Sequence, residues 1–105
     1  MKVYFIGAGP GDPELITVKG KKIIEMSGYC IYAGSLVNPD ILKYCSKDTR
    51  IFDSASMALD EIINIIEEAK NVNKDVARVH TGDPSIYGAI HEQMSELDKR
   101  GIDYE

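Results

Sequence analysis

A four-residue apolar run, VYFI at residues 3–6, leads directly into GAGPGDP, and VKGKKIIEM follows a few residues later. The apolar run reads as a short buried strand. The later stretch carries Val18, Ile23, Ile24 and Met26 and reads as a helix from Thr17 to about Ser27. A turn this rich in glycine and proline, set between a strand and a helix, constrains the chain more than any other feature. It commits the start of the fold to an α/β unit and places a ligand-holding loop at the strand's end.

The remainder continues the alternation. Gly28 is expected to stop the first helix, and residues 29–32 form a second strand. Pro39 opens a short helical turn over residues 40–45. Residues 50–52 make a brief third strand. Ser56 fits an N-cap for a helix over 57–71, whose stripe is Leu59, Ile62, Ile63, Ile66 and Ala69. Residues 75–80 contain a fourth strand. A last helix, 86–100, shows Ile90, Met94 and Leu97 on one face, with Gly101 as its C′ residue. IDYE, at 102–105, begins a fifth strand. The expected fold is therefore a doubly wound α/β domain: a parallel sheet of four to five strands flanked by helices. At 105 residues there is one core and one domain, with no repeat and no linker.

Charge and composition exclude several function classes. The net charge of −5 argues against a nucleic-acid partner, which needs a basic face, and against an anionic membrane surface. No apolar run has the length of a membrane span or a signal peptide. Cys30 and Cys45 are too few for a disulfide framework and form no CxxC pair, so no metal is expected. They read as reduced thiols in a cytoplasmic protein.

In a parallel sheet the loops after the strand C-termini share one edge, where ligands bind. Four segments gather there: 7–14, 33–39, 53–56 and 81–87. A dinucleotide loop needs GxGxxG. Gly7 and Gly9 fit, but Asp12 occupies the third place, and the second strand ends in Tyr32 and Ala33 where an acidic residue should hold the ribose. NAD is thus a weak alternative. No GxxxxGK[ST] phosphate loop exists. A receiver-like signalling domain would use Asp53 and Thr81 but needs carboxylates after the first strand, where GAGPG stands.

HTGDPSIYG, at 80–88, is a second Gly-Asp-Pro turn and echoes PGDP at 10–13. With IYAGSLVNP at 31–39, three segments collect on the same edge. VYFIGAGPGDPELIT and VHTGDPSIYG resemble the two signatures of the tetrapyrrole methylase family, S-adenosylmethionine-dependent methyltransferases of corrin and sirohaem synthesis. IYAGSLV resembles the branch acting at C-11 of precorrin-4 or cobalt-precorrin-4. The uroporphyrinogen-III methyltransferases, the alternative branch, tend to carry Tyr-Asp-Arg-Leu-Val there.

The resemblance covers the whole chain and implies more than the residues alone do. Family members have two α/β domains with the methyl donor in the cleft between them. Residues 1–105 correspond to the N-terminal domain, with a C-terminal domain absent. The implied strand order is 3-2-4-1-5. S-adenosylmethionine contacts carry over to Pro10, Thr81, Gly82, Asp83 and Ile86. Gly11, Asp12, Ser35 and His80 would face the tetrapyrrole. A homodimer is implied, and the isolated domain should be inactive. Methyl transfer needs alignment more than acid or base, so no catalytic residue is assigned. Asp83 is expected to cap the helix after it or to order its loop. His80 is either a substrate contact or a structural histidine. The substrate is acidic, and so is the chain, so local cations must hold it; Lys19, Lys21, Lys22, Arg50 and Arg78 are the candidates.

Overall fold

A computed structural model of the chain describes residues 1–8, 17–33, 39–81 and 87–105. Along the chain come β1 (Val3–Ala8), α1 (Val18–Met26), β2 (Tyr29–Tyr32), a 3-10 helix (Pro39–Tyr44), β3 (Arg50–Asp53), α2 (Leu59–Asn71), β4 (Val76–Thr81) and α3 (Tyr87–Lys99). The strands form one sheet in the order β1-β4-β2-β3, and every pair is parallel. Read from the other side this is 3-2-4-1. On the outer flank of β1, Val3 is bridged in parallel to Tyr104. That is the place of the expected fifth strand. Val3 N and Phe5 N donate to Asp103 O and Glu105 O, and Glu105 N donates to Val3 O.

Side chains leave a strand on alternating faces, which sorts the core into two layers. Val3, Tyr29, Ile31 and Val76 pack with Ile62, Ile63, Ile66 and Ala69 of α2 and Leu97 of α3. Ile6, Cys30, Ala77 and Val79 pack on the other face with Ile24 of α1 and Ile41 of the 3-10 helix. The sheet is thus covered on both sides, as near-continuous apolar strands require. None of the described helices is long and apolar enough to cross a membrane.

The helix ends show which local signals operate. The Thr17 hydroxyl accepts from Gly20 N at 3.0 Å and caps α1. Gly101 takes φ +67°, Gly101 N donates to Asp98 O and Ile102 N to Leu97 O, which closes α3 with a left-handed glycine. Two expectations need correction. Ser56 does not cap α2: the N-cap is Ala58, which makes no side-chain capping bond, and Asp60 and Glu61 in the first turn complement the helix dipole instead. Gly28 does not end α1 as a left-handed residue. Ser27 is the C-cap in an extended conformation. Gly28 lies against Lys74, where a Cβ would come within 2.6 Å of Lys74 Cδ and 2.9 Å of its Cβ. Close approach of β2 to the turn before β4, rather than backbone conformation, calls for glycine there.

Candidate functional site at the C-terminal edge of the sheet

Four parallel strands deliver their C-terminal residues to one edge. The register places Ala8, the last residue of β1, beside Thr81, the last of β4. The two Gly-Asp-Pro segments, 9–16 and 82–86, therefore leave the sheet from neighbouring positions. On the other side of β4, Tyr32 pairs with Val79 and with Asp53 of β3. The segment after β2 thus departs from the strand next to β4. The three segments singled out in the sequence start from adjacent strands of one edge.

Most of the candidate residues sit on those segments. Pro10, Gly11, Asp12, Ser35, Gly82, Asp83 and Ile86 lie outside the described residues. Thr81 closes β4, and His80 pairs with Gly7. His80 is half-buried, and its Cε1 lies 3.8 Å from where a Cβ on Gly7 would stand.

Beneath this edge, on the face covered by α2 and α3, is a cavity of about 200 Å3. Arg78, His80, Gln93, Ser54, Ala33 and Ile90 line it. Arg78 is 6% exposed. Its Nε donates to Gln93 Oε1 at 3.1 Å, and its Nη1 donates to Ile31 O and Val79 O, each at 3.3 Å. Burial pulls the guanidinium down to a pKa of about 10, so it remains a cation at neutral pH. The Ser54 hydroxyl donates to Tyr32 O at 3.0 Å.

The other cations named from the sequence are engaged at the surface. Lys19 pairs with Glu105 at 2.7 Å. Arg50 pairs with Glu68 at 2.8 Å and lies over Tyr29 and Phe52 at the opposite, N-terminal end of the strands. Lys21 stands 5.2 Å from the Tyr44 ring, and Lys22 is exposed. Among the five, Arg78 alone enters the cavity at the ligand edge. Gln93 and Ser54 carried no sequence signal of their own. The available signal was the arginine in the middle of DVARVH, a charge in a strand that is otherwise buried.

Asp53 is exposed, and its Oδ1 accepts from Ala55 N at 2.9 Å, a local turn contact. Partial burial and the neighbouring Asp53 carboxylate raise the Tyr32 hydroxyl above its usual range. Both groups therefore have structural accounts, and a phosphoacceptor role for Asp53 gains nothing from them.

Comparison with known proteins bears directly on this edge. Residues 2–105 match the family described as Tetrapyrrole (Corrin/Porphyrin) Methylases. The chain is 61% identical over 104 residues to the cobalt-precorrin-4 C(11)-methyltransferase of Methanocaldococcus jannaschii, covering 99% of this chain and 40% of that relative. Among solved structures it is similar to cobalt precorrin-4 methyltransferase, a cobalamin biosynthetic enzyme, with TM-score 0.91 and 45% identity over 99% of this chain and 44% of that one. It is also similar to uroporphyrin-III C-methyl transferase from Thermus thermophilus, complexed with S-adenyl homocysteine, with TM-score 0.78 and 27% identity over 100% of this chain and 43% of that one. The chain thus spans less than half the length of each.

Proposed function

This chain belongs to the tetrapyrrole (corrin/porphyrin) methylase family, and from that premise we propose that it is the N-terminal domain of an S-adenosylmethionine-dependent C-methyltransferase. Its substrate is precorrin-4 or cobalt-precorrin-4, methylated at C-11 in cobalamin biosynthesis. The observation that carries the choice of branch is the 61% identity to the cobalt-precorrin-4 enzyme of Methanocaldococcus jannaschii, against 38% to the uroporphyrinogen-III C-methyltransferase of the same organism. The same reading places the protein in the cytoplasm, as a homodimer of longer chains.

The pairing of the strand ends Ala8 and Thr81 supports the methyl donor as ligand. Pro10 on one side, and Thr81, Gly82, Asp83 and Ile86 on the other, belong to segments that start from the paired ends Ala8 and Thr81. A ligand touching both segments would be held at two points by rigid strand ends. When bound, S-adenosylmethionine supplies a methyl group already activated on its sulfonium. The chain's own work is then to bind and to orient: glycines permit close backbone approach, and alignment of the reactants supplies several kcal/mol of the barrier. Gly11, Asp12, Ser35 and His80 would hold the acidic macrocycle on the same edge. No acid or base in this chain is needed for the methyl transfer itself.

The test is a fusion of this chain to the C-terminal portion of the Methanocaldococcus jannaschii relative, assayed with labelled methyl donor. Label should enter cobalt-precorrin-4 and not uroporphyrinogen III, and this chain without the fused portion should transfer none. Label in uroporphyrinogen III instead would move the protein to the other branch. Transfer by the 105-residue chain alone would refute its role as half of a site.

A further inference from the structure

Arg78 stands where the alternation of β4 calls for an apolar side chain. Val76, on the same face of the strand, is fully buried against α2 and α3, and Arg78 follows it two residues on. Burying a charge is costly unless it is paired and hydrogen-bonded. Among the described residues the hydrogen bonds of Arg78 are only partly supplied. A guanidinium has five N–H donors. The bonds to Gln93, Ile31 and Val79 use Nε and Nη1, and Nη2 has no partner among the described residues. All three acceptors are neutral. Among the described residues no carboxylate pairs with Arg78, whereas Arg50, Arg100, Lys19 and Lys99 each have one.

The position of this cation is as specific as its bonding. Arg78 lines the cavity of about 200 Å3 with His80, Ser54 and Gln93. The cavity lies beneath the edge from which the three signature segments leave. Pockets for whole drug-sized ligands run to about 300–1,000 Å3, so this one accommodates an arm of a ligand and not its body. Gln93 and two backbone carbonyls hold the guanidinium plane in place, which pre-orients the two Nη2 donors that have no partner among the described residues. A charge-assisted bond from such a donor is about twice as strong as a neutral one, and a site that needs no rearrangement loses little on binding.

We propose that Arg78, with the cavity walls formed by His80, Ser54 and Gln93, is a carboxylate-binding subsite that takes one acidic arm of the bound ligand. The identity of that ligand rests on the function proposed above. Two sources share the chemistry: a carboxylate arm of the tetrapyrrole, and the amino-acid carboxylate of the methyl donor. A net charge of −5 repels the polyacidic tetrapyrrole at long range, so a buried cation with no carboxylate partner among the described residues gives this edge a local attraction for an acidic arm.

The experiment follows the Arg78 Nε–Hε resonance of the 15N-labelled 105-residue chain during separate titrations with succinate, uroporphyrin III and S-adenosylhomocysteine. Affinities of the two larger probes are measured in parallel for wild type and for Arg78→Met. The subsite predicts that the resonance moves with succinate and with one larger probe, which identifies the source. It also predicts that Arg78→Met weakens that probe by about 10- to 100-fold, the range for a hydrogen bond to a charged group. Movement with succinate alone supports the subsite and counts against both proposed ligands. Binding of uroporphyrin III with Arg78 unmoved and affinity unchanged in Arg78→Met overturns the subsite and leaves the tetrapyrrole reading standing. If Arg78→Met does not fold, the wild-type titrations decide: a resonance indifferent to all three probes makes Arg78 a structural residue.

Discussion

Val3 and Tyr104 stand side by side in parallel register on the outer flank of β1. The contact joins the first strand to the last residues of the chain through three backbone hydrogen bonds, at 2.9–3.0 Å. The Phe5 and Tyr104 rings meet edge-on at 6.0 Å. Removing residues 103–105 deletes all of these. At about 1 kcal/mol net per hydrogen bond, with a similar amount for the ring pair, the loss is about 2–4 kcal/mol. Urea denaturation of the truncated chain should show a lower midpoint with a nearly unchanged slope.

The layer under α2 should dominate stability. Ile66 is fully buried and Ile63 is 1% exposed. Replacing either by alanine leaves a cavity against β1, β2 and β4, at a cost of about 2–5 kcal/mol. Ile51 on the outer strand β3 is 43% exposed, and Ile51→Ala should stay within about 1 kcal/mol. Comparable losses at all three positions in thermal or urea melts would mean that the core is not where the burial places it.

How much of this was legible from residues can be seen at particular positions. β2 was bounded correctly because YCIY is a compact apolar run stopped on both sides. The stripe of α2 was legible because Ile62, Ile63, Ile66 and Ala69 recur at the helical period. Its start was not, because serine favours caps and turns alike: Ser56 is placed like a cap, but the turn before α2 is closed by Met57 N donating to Ser54 O. The strand order came from the family resemblance, since periodicity says which segments are strands and not which are neighbours. Arg78 does not stand out from the other four candidate cations in the sequence, because sequence shows a charge but not its burial, and Gln93 reaches it only through the packing of α3 on β4. The placement of His80 beside Gly7 was beyond sequence for the same reason.

Gly101 and Gly28 should respond to alanine by different routes. Gly101→Ala places a side chain at φ +67° with open space around it, so only backbone strain opposes it, about 1–2 kcal/mol. Asparagine tolerates that conformation and should recover part of the loss. Gly28→Ala must instead displace Lys74. It should therefore be relieved by Lys74→Gly in the same chain, while Gly101→Ala should not. A double-mutant cycle by thermal denaturation measures the difference.

The two thiols should react unequally. Cys30 is fully buried in β2, and Cys45 is half-buried behind the 3-10 helix. A hydrogen bond between the two sulfurs raises the Cys30 thiol, and burial raises it further; the same bond lowers Cys45. The thiolate is the reactive form, so as pH rises Cys45 ionises first and Cys30 stays protonated. Iodoacetamide at mildly alkaline pH should therefore label Cys45 in the folded chain, with Cys30 labelled only after denaturation. Peptide mass spectrometry reads the order, and equal labelling of both in the native state would contradict it.

The last prediction concerns association, and it turns on the same flank as the first. β1 spans Val3–Ala8, but residues 103–105 bond only to Val3 and Phe5. From Ile6 to Ala8 no strand among the described residues pairs with that side of β1. Unpaired N–H and C=O groups on a strand edge are a template for another chain. Beside them a groove lined by Tyr4, Ile6 and Ile23 adds apolar surface. Lys19, held to Glu105 at 2.7 Å, stands at this edge, and charged residues there oppose edge-to-edge pairing. We therefore expect the chain to self-associate at high concentration, and the chain lacking residues 103–105 to do so at a lower one. High salt should strengthen association in both by screening the charges. Sedimentation equilibrium over a wide concentration range is the measurement. A single monomeric species throughout, 11.6 kDa for the full chain and lighter by three residues for the truncated one, at both salt levels, would show that three paired residues and the Lys19–Glu105 pair are not what governs this edge.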